Sequence, residues 1–597
     1  MNKIYEDDIF VMIIFTTKLI NENIHNYNAI QTILTNRGIK REDVYHYLNT
    51  TDDDISSPLD LGEKSLNAAA QTIIQHIFSK DKTLVICDCD CDGFTSAALL
   101  INYLYDLFPV YVETGLKWFV HEDKQHGLED VMDYINQKDF KLVICPDASS
   151  NDYEYHKQLK AKGIDVIVLD HHLADATSED AIVINNQLCG YENKELSGVG
   201  VVYQFCRFID SKMQSNFADN YLDLVALGLT GDMMSLTSIE TKHLINKGFE
   251  PENIKNPYIY EMWQKNHFKL GDHITSIDAA FYIVPMVNAV QRSGTIEEKE
   301  LLFKSMLKYE AFAEIASTKR GCKGQTERLV DQAVRMSTNV KNRQTRAQDA
   351  SMEYLENRIA KENMMDRKVL LFTLEPGKVD KNIAGLIANK ISAKYQRPSC
   401  MLTKVGDVYQ GSARGYEMSG VTNFKDICDA TGCVNWTAGH QNAFGVSINV
   451  DKIDEFLEKT DAALANMTSE PVYYVDYIYN GADVNPQDIL AISDLSNLWG
   501  KDLDEAMVAV KDIKISKDLV TVYRKTSNTL KITLPNKVSL MKFNATDEEC
   551  EMLENQTGAY IQMEIVGKCH KNEWLGNITP QIFIEDWEIT GQGKYLF

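Results

Sequence analysis

The chain has 597 residues, 44% hydrophobic and 25% charged, with a net charge of −25. That length exceeds one core and predicts three or four domains of ordinary globular composition. The charge excludes a generic coat for polyanions but leaves room for a local basic channel, and no apolar run approaches the roughly 18 residues of a membrane span.

Twelve cysteines are scattered without a framework and form no CxxC pair. This points to a reduced, cytoplasmic protein and against a structural zinc site. Residues 1–60 read as a small α/β lead-in. Its opening, MNKIYEDDIFVMIIF, has Glu6, Asp7 and Asp8 ahead of the apolar patch and no small-residue cleavage site after it. It reads as a strand or helix and not as a signal peptide.

From Leu61, a helix over Asn67–Phe78 leads to the apolar run Leu84-Val85-Ile86. The run enters DCDCDG at 88–93, and a helix-like Thr95–Leu100 follows. An apolar run that stops at glycine and turns into a helix marks the carboxyl end of a buried strand. Asp88, Asp90 and Asp92 repel one another unless a cation lies among them. Oxygen donors suit magnesium or manganese better than zinc. The plainer readings are a solvated turn or an EF-hand calcium loop, but no Glu closes such a loop.

Two more strand ends follow. Lys141–Cys145 stops at Pro146-Asp147. After a helix over Asp152–Lys162, Ile164–Leu169 stops at Asp170-His171-His172. Apolar strands separated by helices predict a parallel sheet, whose ligands gather at the carboxyl ends of the strands. These acids and histidines should therefore meet at one sheet edge. Asp232 joins them after the apolar, helix-like Leu222–Gly231. The expectation is a metal site of several carboxylates and histidine, able to activate water at a phosphoryl centre. Ligand histidines need an acceptor behind them, so Asp170 either ligates directly or orients its neighbours.

Lys319–Arg346 carries eight basic residues (Lys319, Arg320, Lys323, Arg328, Arg335, Lys341, Arg343 and Arg346) and two acids, Glu327 and Asp331. It reads as one long helix lining a cleft that tracks a nucleic-acid backbone, the plainer reading being a solvated linker. Val369–Ile448 alternates strands with a helix over Ile383–Lys394, a second α/β domain. Short strands then recur at Ile513–Ile515, Leu519–Tyr523, Thr529–Leu534, Val538–Phe543, Tyr560–Val566 and Gln581–Ile589. That spacing predicts a small β-barrel. Tyr473, Tyr477, Tyr479 and Trp574 are stacking candidates or core.

DCDCDG, Asp147, Asp170-His171-His172 and Asp232 resemble the DHH phosphoesterase superfamily. Val168–Leu173, Ile184–Gln187, Leu196–Val201, Leu222–Asp232 and Pro285–Arg292 follow in the order of RecJ-type single-strand exonucleases. Gly411-Ser412-Ala413-Arg414 and Ala438–Gly445 resemble the two signatures of the DHH-associated domain. The resemblance spans residues 60–597. It implies an α/β multidomain architecture: a parallel-sheet DHH domain (61–318), a long connector helix (319–365), a second α/β, DHH-associated domain (366–470) and a C-terminal OB-like β-barrel (471–597).

It further implies a nuclease using two manganese or magnesium ions to degrade single-stranded DNA from the 5′ end, in repair, recombination or replication. By motif match, Asp90, Asp92, Asp147, His171 and Asp232 are metal ligands. Asp88, Asp170 and His172 support the catalysis. Arg292, Ser412, Arg414, Gly439 and His440 bind substrate, Arg being suited to gripping phosphate oxygens in pairs. The implied partners are single-stranded DNA and a single-strand-binding protein or helicase, with no membrane and a monomeric state. Three departures stand out: Cys145–Ser150 in the second motif, His121-Glu122 where an Arg is expected, and Ala438-Gly439 in place of paired glycines. A DHH phosphatase for short oligonucleotides or cyclic dinucleotides is the rival enzyme, which the barrel and basic connector oppose. A non-catalytic relative is the other rival, which the full set of motif acids opposes.

Overall fold

The computed structural model describes residues 15–21, 28–122, 126–416, 421–467, 472–481, 483–556, 558–574 and 576–593. They divide into two units, Tyr45–Thr345 with Asn497–Asp504, and Met1–Val44, Arg346–Ser496 and Glu505–Phe597.

The first unit is built on five parallel strands in the spatial order Leu116–Val120, Lys82–Cys87, Phe140–Pro146, Asp165–Asp170, Ile182–Asn185. The three middle strands are buried along nearly their whole length, as helices on both faces of a parallel sheet require. On one face Leu84, Ile86, Val143 and Val168 pack with Leu128, Ile135 and Leu159. The helices Cys91–Leu107, Gly198–Met213 and Leu222–Gly231 are buried over most of their surface and pack on one another. In chain order the strands run 2-1-3-4-5. The switch point therefore lies between Lys82–Cys87 and Phe140–Pro146, where the acids at 88–92 and Asp147 emerge. The expected helix at 67–78 spans Glu63–Ser79.

The expected lead-in is divided. Thr16–Leu19 pairs in parallel with Val472–Val475 in the second unit, and Phe15 sets its ring edge against Tyr473 at 5.6 Å. Residues from Tyr45 belong to the first unit, where the Tyr47 hydroxyl donates to the Leu236 carbonyl at 2.7 Å. Residues 1–14, to which the strand-or-helix reading applies, lie outside the described residues.

The connector differs from expectation at its start. Gly321 and Gly324 adopt φ of 86° and 84°, and Thr326–Arg328 pairs with Glu314–Ala316 as a small hairpin. The helix begins only at Leu329 and runs to Lys361. Four of the connector's eight basic residues are paired with acids in place. Arg335 grips Glu327 through both nitrogens at 2.6 and 2.7 Å, and Lys319 reaches the same carboxylate at 3.3 Å. Arg328 pairs with Asp331 and Glu261, and Arg343 with Glu298.

In the second unit, Val434–His440, Ala443–Asn449, Val408–Arg414, Ser399–Val405 and Leu370–Leu374 form a mixed sheet in that order. Ala384–Tyr395 packs on it, close to the expected helix. The C-terminal region is a second mixed sheet of seven strands, ordered Tyr477–Asn480, Met507–Ile515, Tyr560–Trp574, Asn577–Gly593, Ser539–Ala545, Asn528–Thr533, Val520–Arg524. Its centre is a long hairpin of Tyr560–Trp574 against Asn577–Gly593. Tyr479 is buried, with half-buried Tyr477 stacked on it at 5.7 Å, and the Tyr473 hydroxyl bonds Asp586. These tyrosines pack within the unit, whereas Trp574 is 70% exposed.

Candidate metal centre

The turn after Lys82–Cys87 places its acids by helix capping. Asp90 is the N-cap of Cys91–Leu107 and accepts the Gly93 N–H at 3.0 Å. Asp92, the second residue of that helix, accepts Ser197 Oγ–H at 2.9 Å and the N–H groups of Gly198 and Val199 at 2.7 and 3.2 Å. These N–H groups open the helix Gly198–Met213, so its positive end faces the carboxylate. Burial still pushes the Asp92 carboxyl above its ordinary range.

Asp147 follows Pro146 in a left-handed conformation, φ 63°. It is buried, and its Oδ1 has no hydrogen-bond partner. Burial, with the charge of Asp92, drives its pKa well up. Asp232 caps the end of Leu222–Gly231 and is pushed up to about 8 by burial and the charge of Asp92. Burial likewise raises Asp88. His171 Nε2 lies 3.2 Å from Asp147 Oδ1, 3.3 Å from Asp232 Oδ2 and 3.9 Å from Asp92 Oδ2, with hydrogen-bond geometry to none. Burial lowers its pKa, so it presents a neutral lone pair.

Three overlapping sets each bring their donor atoms within 4.8 Å of one another: Asp92, His171 and Asp232; Asp88, Asp90 and Asp147; and Asp147, Asp170, His171 and His172. The expected ligands Asp90, Asp92, Asp147, His171 and Asp232 thus converge at one sheet edge. Buried carboxylates that repel one another, with orphaned lone pairs aimed inward, are an environment a hard divalent cation fits. Glycines make the room. A Cβ on Gly198 would lie 2.4 Å from Asp147 Oδ1, and one on Gly228 2.5 Å from Asp92 Oδ1.

Asp170 Oδ1 accepts the N–H groups of His171 and His172 at 2.7 and 3.2 Å and His172 Nδ1–H at 2.7 Å, while Oδ2 accepts the Ser150 N–H at 3.0 Å. Burial works to raise this carboxyl, but His172 and the other donors hold it well below its usual range. Of the two roles open to Asp170, the geometry favours orientation, since its lone pairs are engaged. The bond to Asp170 raises His172 to about 9, and the imidazole stands half exposed. Asn185 ties the turn together by donating to Ser150 Oγ and the His172 carbonyl.

Arg292 lies on Val284–Ser293, half-buried, where burial lowers its pKa against the opposing charge of Asp90. In the second unit, Ser412 and Arg414 stand beside the start of the helix Ala384–Tyr395. A Cβ on Gly385 would lie 2.6 Å from Arg414 Nη2 and 3.4 Å from Ser412 Oγ. Arg414 and His440 both pair in register with Ala443, and Gly439 takes φ 126°. The four second-unit substrate candidates therefore share one end of one sheet.

Motif reading missed His126, whose Nδ1 lies 2.6 Å from Asp88 Oδ2. His121, at the position where an Arg is expected, is buried and bonded to Asp130. The signal was present in the retained Gly127-Leu128 ending. Gly127 has φ 71°, and Asp152 holds the Leu128 N–H at 2.9 Å and Ser149 Oγ–H at 2.7 Å. That anchors the loop end beside Asp88.

Residues 82–229 match the DHH family, N-terminal domain, and residues 475–586 the RecJ OB domain. The chain is 31% identical over 593 residues, 97% of its length and 100% of the other's, to the putative SPbeta prophage-derived single-strand DNA-specific exonuclease YorK of Bacillus subtilis. It is 23% identical over 589 residues to the single-stranded-DNA-specific exonuclease RecJ of the same organism, covering 95% of this chain and 69% of that one. In fold it is similar to the crystal structure of RecJ in complex with Mn2+ from Thermus thermophilus, with a TM-score of 0.67 at 16% identity over 95% of this chain and 78% of that one.

Proposed function

Because the chain belongs to the RecJ-type single-strand-DNA-specific exonucleases of the DHH family, we propose that it is a metal-dependent exonuclease that hydrolyses single-stranded DNA from the 5′ end. The observation that carries this reading is the convergence of Asp90, Asp92, Asp147, His171 and Asp232, with Asp147 Oδ1 and His171 Nε2 buried and unpartnered among them. Manganese or magnesium ions, two in this reading, would supply Lewis acidity at the phosphoryl centre.

The chain's own residues do the rest. Asp92, pinned by the helix start, and Asp147, fixed by its backbone, hold the donor set rigid. His171 contributes a neutral nitrogen. Asp170 spends its lone pairs on the two histidines and keeps His172 cationic at the rim, where it holds a phosphate oxygen of the strand. Arg292 adds a second cation. Ser412, Arg414, Gly439 and His440 take a further phosphate, and the OB domain tracks the strand.

The test is release of end label from single-stranded DNA, its duplex and its RNA counterpart, with manganese. Mononucleotides released from the 5′ end of the single strand alone are expected. Asp90→Ala and His171→Ala should abolish release while leaving the circular dichroism of the fold intact. Undiminished hydrolysis by both variants would refute the assignment.

A further inference from the structure

A fourth set of metal-ligating side chains lies next to this centre and differs from it in chemistry. It consists of Asp88, Cys89 and His126, with one donor atom of each within 4.8 Å of the others. His126 Nδ1 is 2.6 Å from Asp88 Oδ2. Cys89 Sγ is 4.0 Å from Nδ1 and 3.8 Å from Nε2 of the same ring. The other three sets offer carboxylate oxygens and imidazole nitrogens only; this one adds sulfur. Asp88 and Cys89 are buried, while the His126 side chain is 52% exposed. An ion therefore has an entrance past the imidazole.

Sulfur decides the class of ion. Thiolate and imidazole donors select zinc-like cations, whereas magnesium and manganese prefer oxygen. Zinc binds sulfur at about 2.3 Å and nitrogen or oxygen at about 2.0–2.2 Å, which sets tetrahedral ligand separations of roughly 3.3–3.8 Å. The sulfur–nitrogen spacing already lies near that range. The Asp88–His126 contact must open by about 0.7 Å, a displacement that a half-exposed imidazole can supply. Binding releases the thiol proton and the shared Asp88–His126 proton to solvent, and water fills the fourth position.

We propose that Asp88, Cys89 and His126 bind one thiophilic divalent cation of the zinc, cobalt or cadmium class, and that its binding inhibits the enzyme. Inhibition follows because Asp88 also belongs to the set with Asp90 and Asp147. An ion that draws its carboxylate toward Cys89 withdraws it from those neighbours. The binding claim stands without the nuclease reading, and the inhibition rests on it.

The experiment uses the full chain saturated with magnesium and titrated with cobalt. A thiolate-to-cobalt charge-transfer band should appear and saturate at one equivalent. It should vanish in Cys89→Ser, weaken at least about tenfold in affinity in His126→Gln, and persist in Cys322→Ser. His126→Gln alters an exposed side chain and keeps the thiol, so it decides the matter even if Cys89→Ser fails to fold. No band in the unaltered protein, or an unchanged band in Cys89→Ser or His126→Gln, would overturn the site. In a parallel assay, zinc should inhibit magnesium-supported hydrolysis and lose that effect in Cys89→Ser, whose basal rate is unchanged. Equal zinc inhibition of that variant would overturn the regulatory half. The cobalt band is read without DNA, so failure of the nuclease reading leaves the site test intact.

Discussion

Gly198→Ala tests whether the centre is as tightly built as its distances imply. Gly198 is the first residue of the helix Gly198–Met213, and its N–H holds Asp92 at 2.7 Å. Helix propensity alone favours alanine by up to about 1 kcal/mol. Packing opposes it. The added Cβ would lie 2.4 Å from Asp147 Oδ1, 2.5 Å from its Cβ and 2.7 Å from its Cγ. The overlap includes the Cβ, so rotating the carboxylate does not relieve it, and Asp147 is already held at φ 63°. Reaching ordinary contact moves the Asp147 carboxylate by about 1 Å, or displaces the helix start that anchors Asp92. Overpacking of this kind costs about 1–3 kcal/mol, more than the propensity gain, so the melting temperature should fall by several degrees. A misplacement of about 1 Å at the reacting centre should cost on the order of 10²-fold in rate. The assays are manganese titration by calorimetry and single-turnover release of 5′ label. A variant with unaltered manganese affinity and rate would refute the claim that Asp147 is a placed ligand.

Asp170→Asn removes the charge that keeps His172 protonated. If His172 falls from about 9 toward 6.5, its charged fraction at pH 8 drops about 30-fold but at pH 6 by less than half. The rate defect should therefore deepen sharply from pH 6 to pH 8, and a defect independent of pH would rule out the charged role. Asp88, Asp92, Asp147 and Asp232 all stand above their unfolded values, so the stability they lend the metal-free protein is full below pH ~4 and declines as pH rises, the share of Asp232 being lost through about 8. Its melting temperature should decline from pH 5 to 8, and manganese should restore more at pH 8 than at pH 6; a flat profile would contradict the repulsion described. Arg335→Gln takes the two shortest donors from Glu327, whose side chain is only 5% exposed, and leaves it Lys319 at 3.3 Å and the Ser317 hydroxyl. It should cost about 2 kcal/mol, between the exposed and buried limits for ion pairs, without changing the salt dependence of DNA binding. The carboxyl is held down at about 2 by Arg335. That stability is present above pH ~4.5 and lost toward pH 2, so the gap between the two proteins should close in acid. A change in salt slope would place Arg335 on the DNA-binding surface.

The sequence by itself determined the parallel sheet and the line-up of the candidate metal ligands. Lys82–Cys87, Phe140–Pro146 and Asp165–Asp170 are apolar runs that end in acids, and a doubly covered parallel sheet has one place for such ends, its carboxyl edge. Strand-end spacing was enough to bring Asp88, Asp90, Asp92, Asp147, Asp170-His171-His172 and Asp232 to one edge, while the choice of Asp90, Asp92, Asp147, His171 and Asp232 as candidate ligands came from the family resemblance. What tertiary structure decided is whatever depends on partners distant in the chain. The basic run Lys319–Arg346 reads as a phosphate-binding stripe, and the partners of two of its cations, Glu261 and Glu298, meet Arg328 and Arg343 from 67 and 45 residues away, where window counts of local charge cannot see them. Pairing of Thr16–Leu19 with Val472–Val475 joins segments that share no local signal. The Gly127-Leu128 ending marks the loop that carries His126, but not what His126 touches. Its importance lies in a 2.6 Å contact with Asp88 across 38 residues, set by where the loop ending at Gly127 is pinned by Asp152. Periodicity and capping are local and can be read from residue types, whereas ion pairing and the closeness of approach at Gly198 exist only once the chain has folded back on itself.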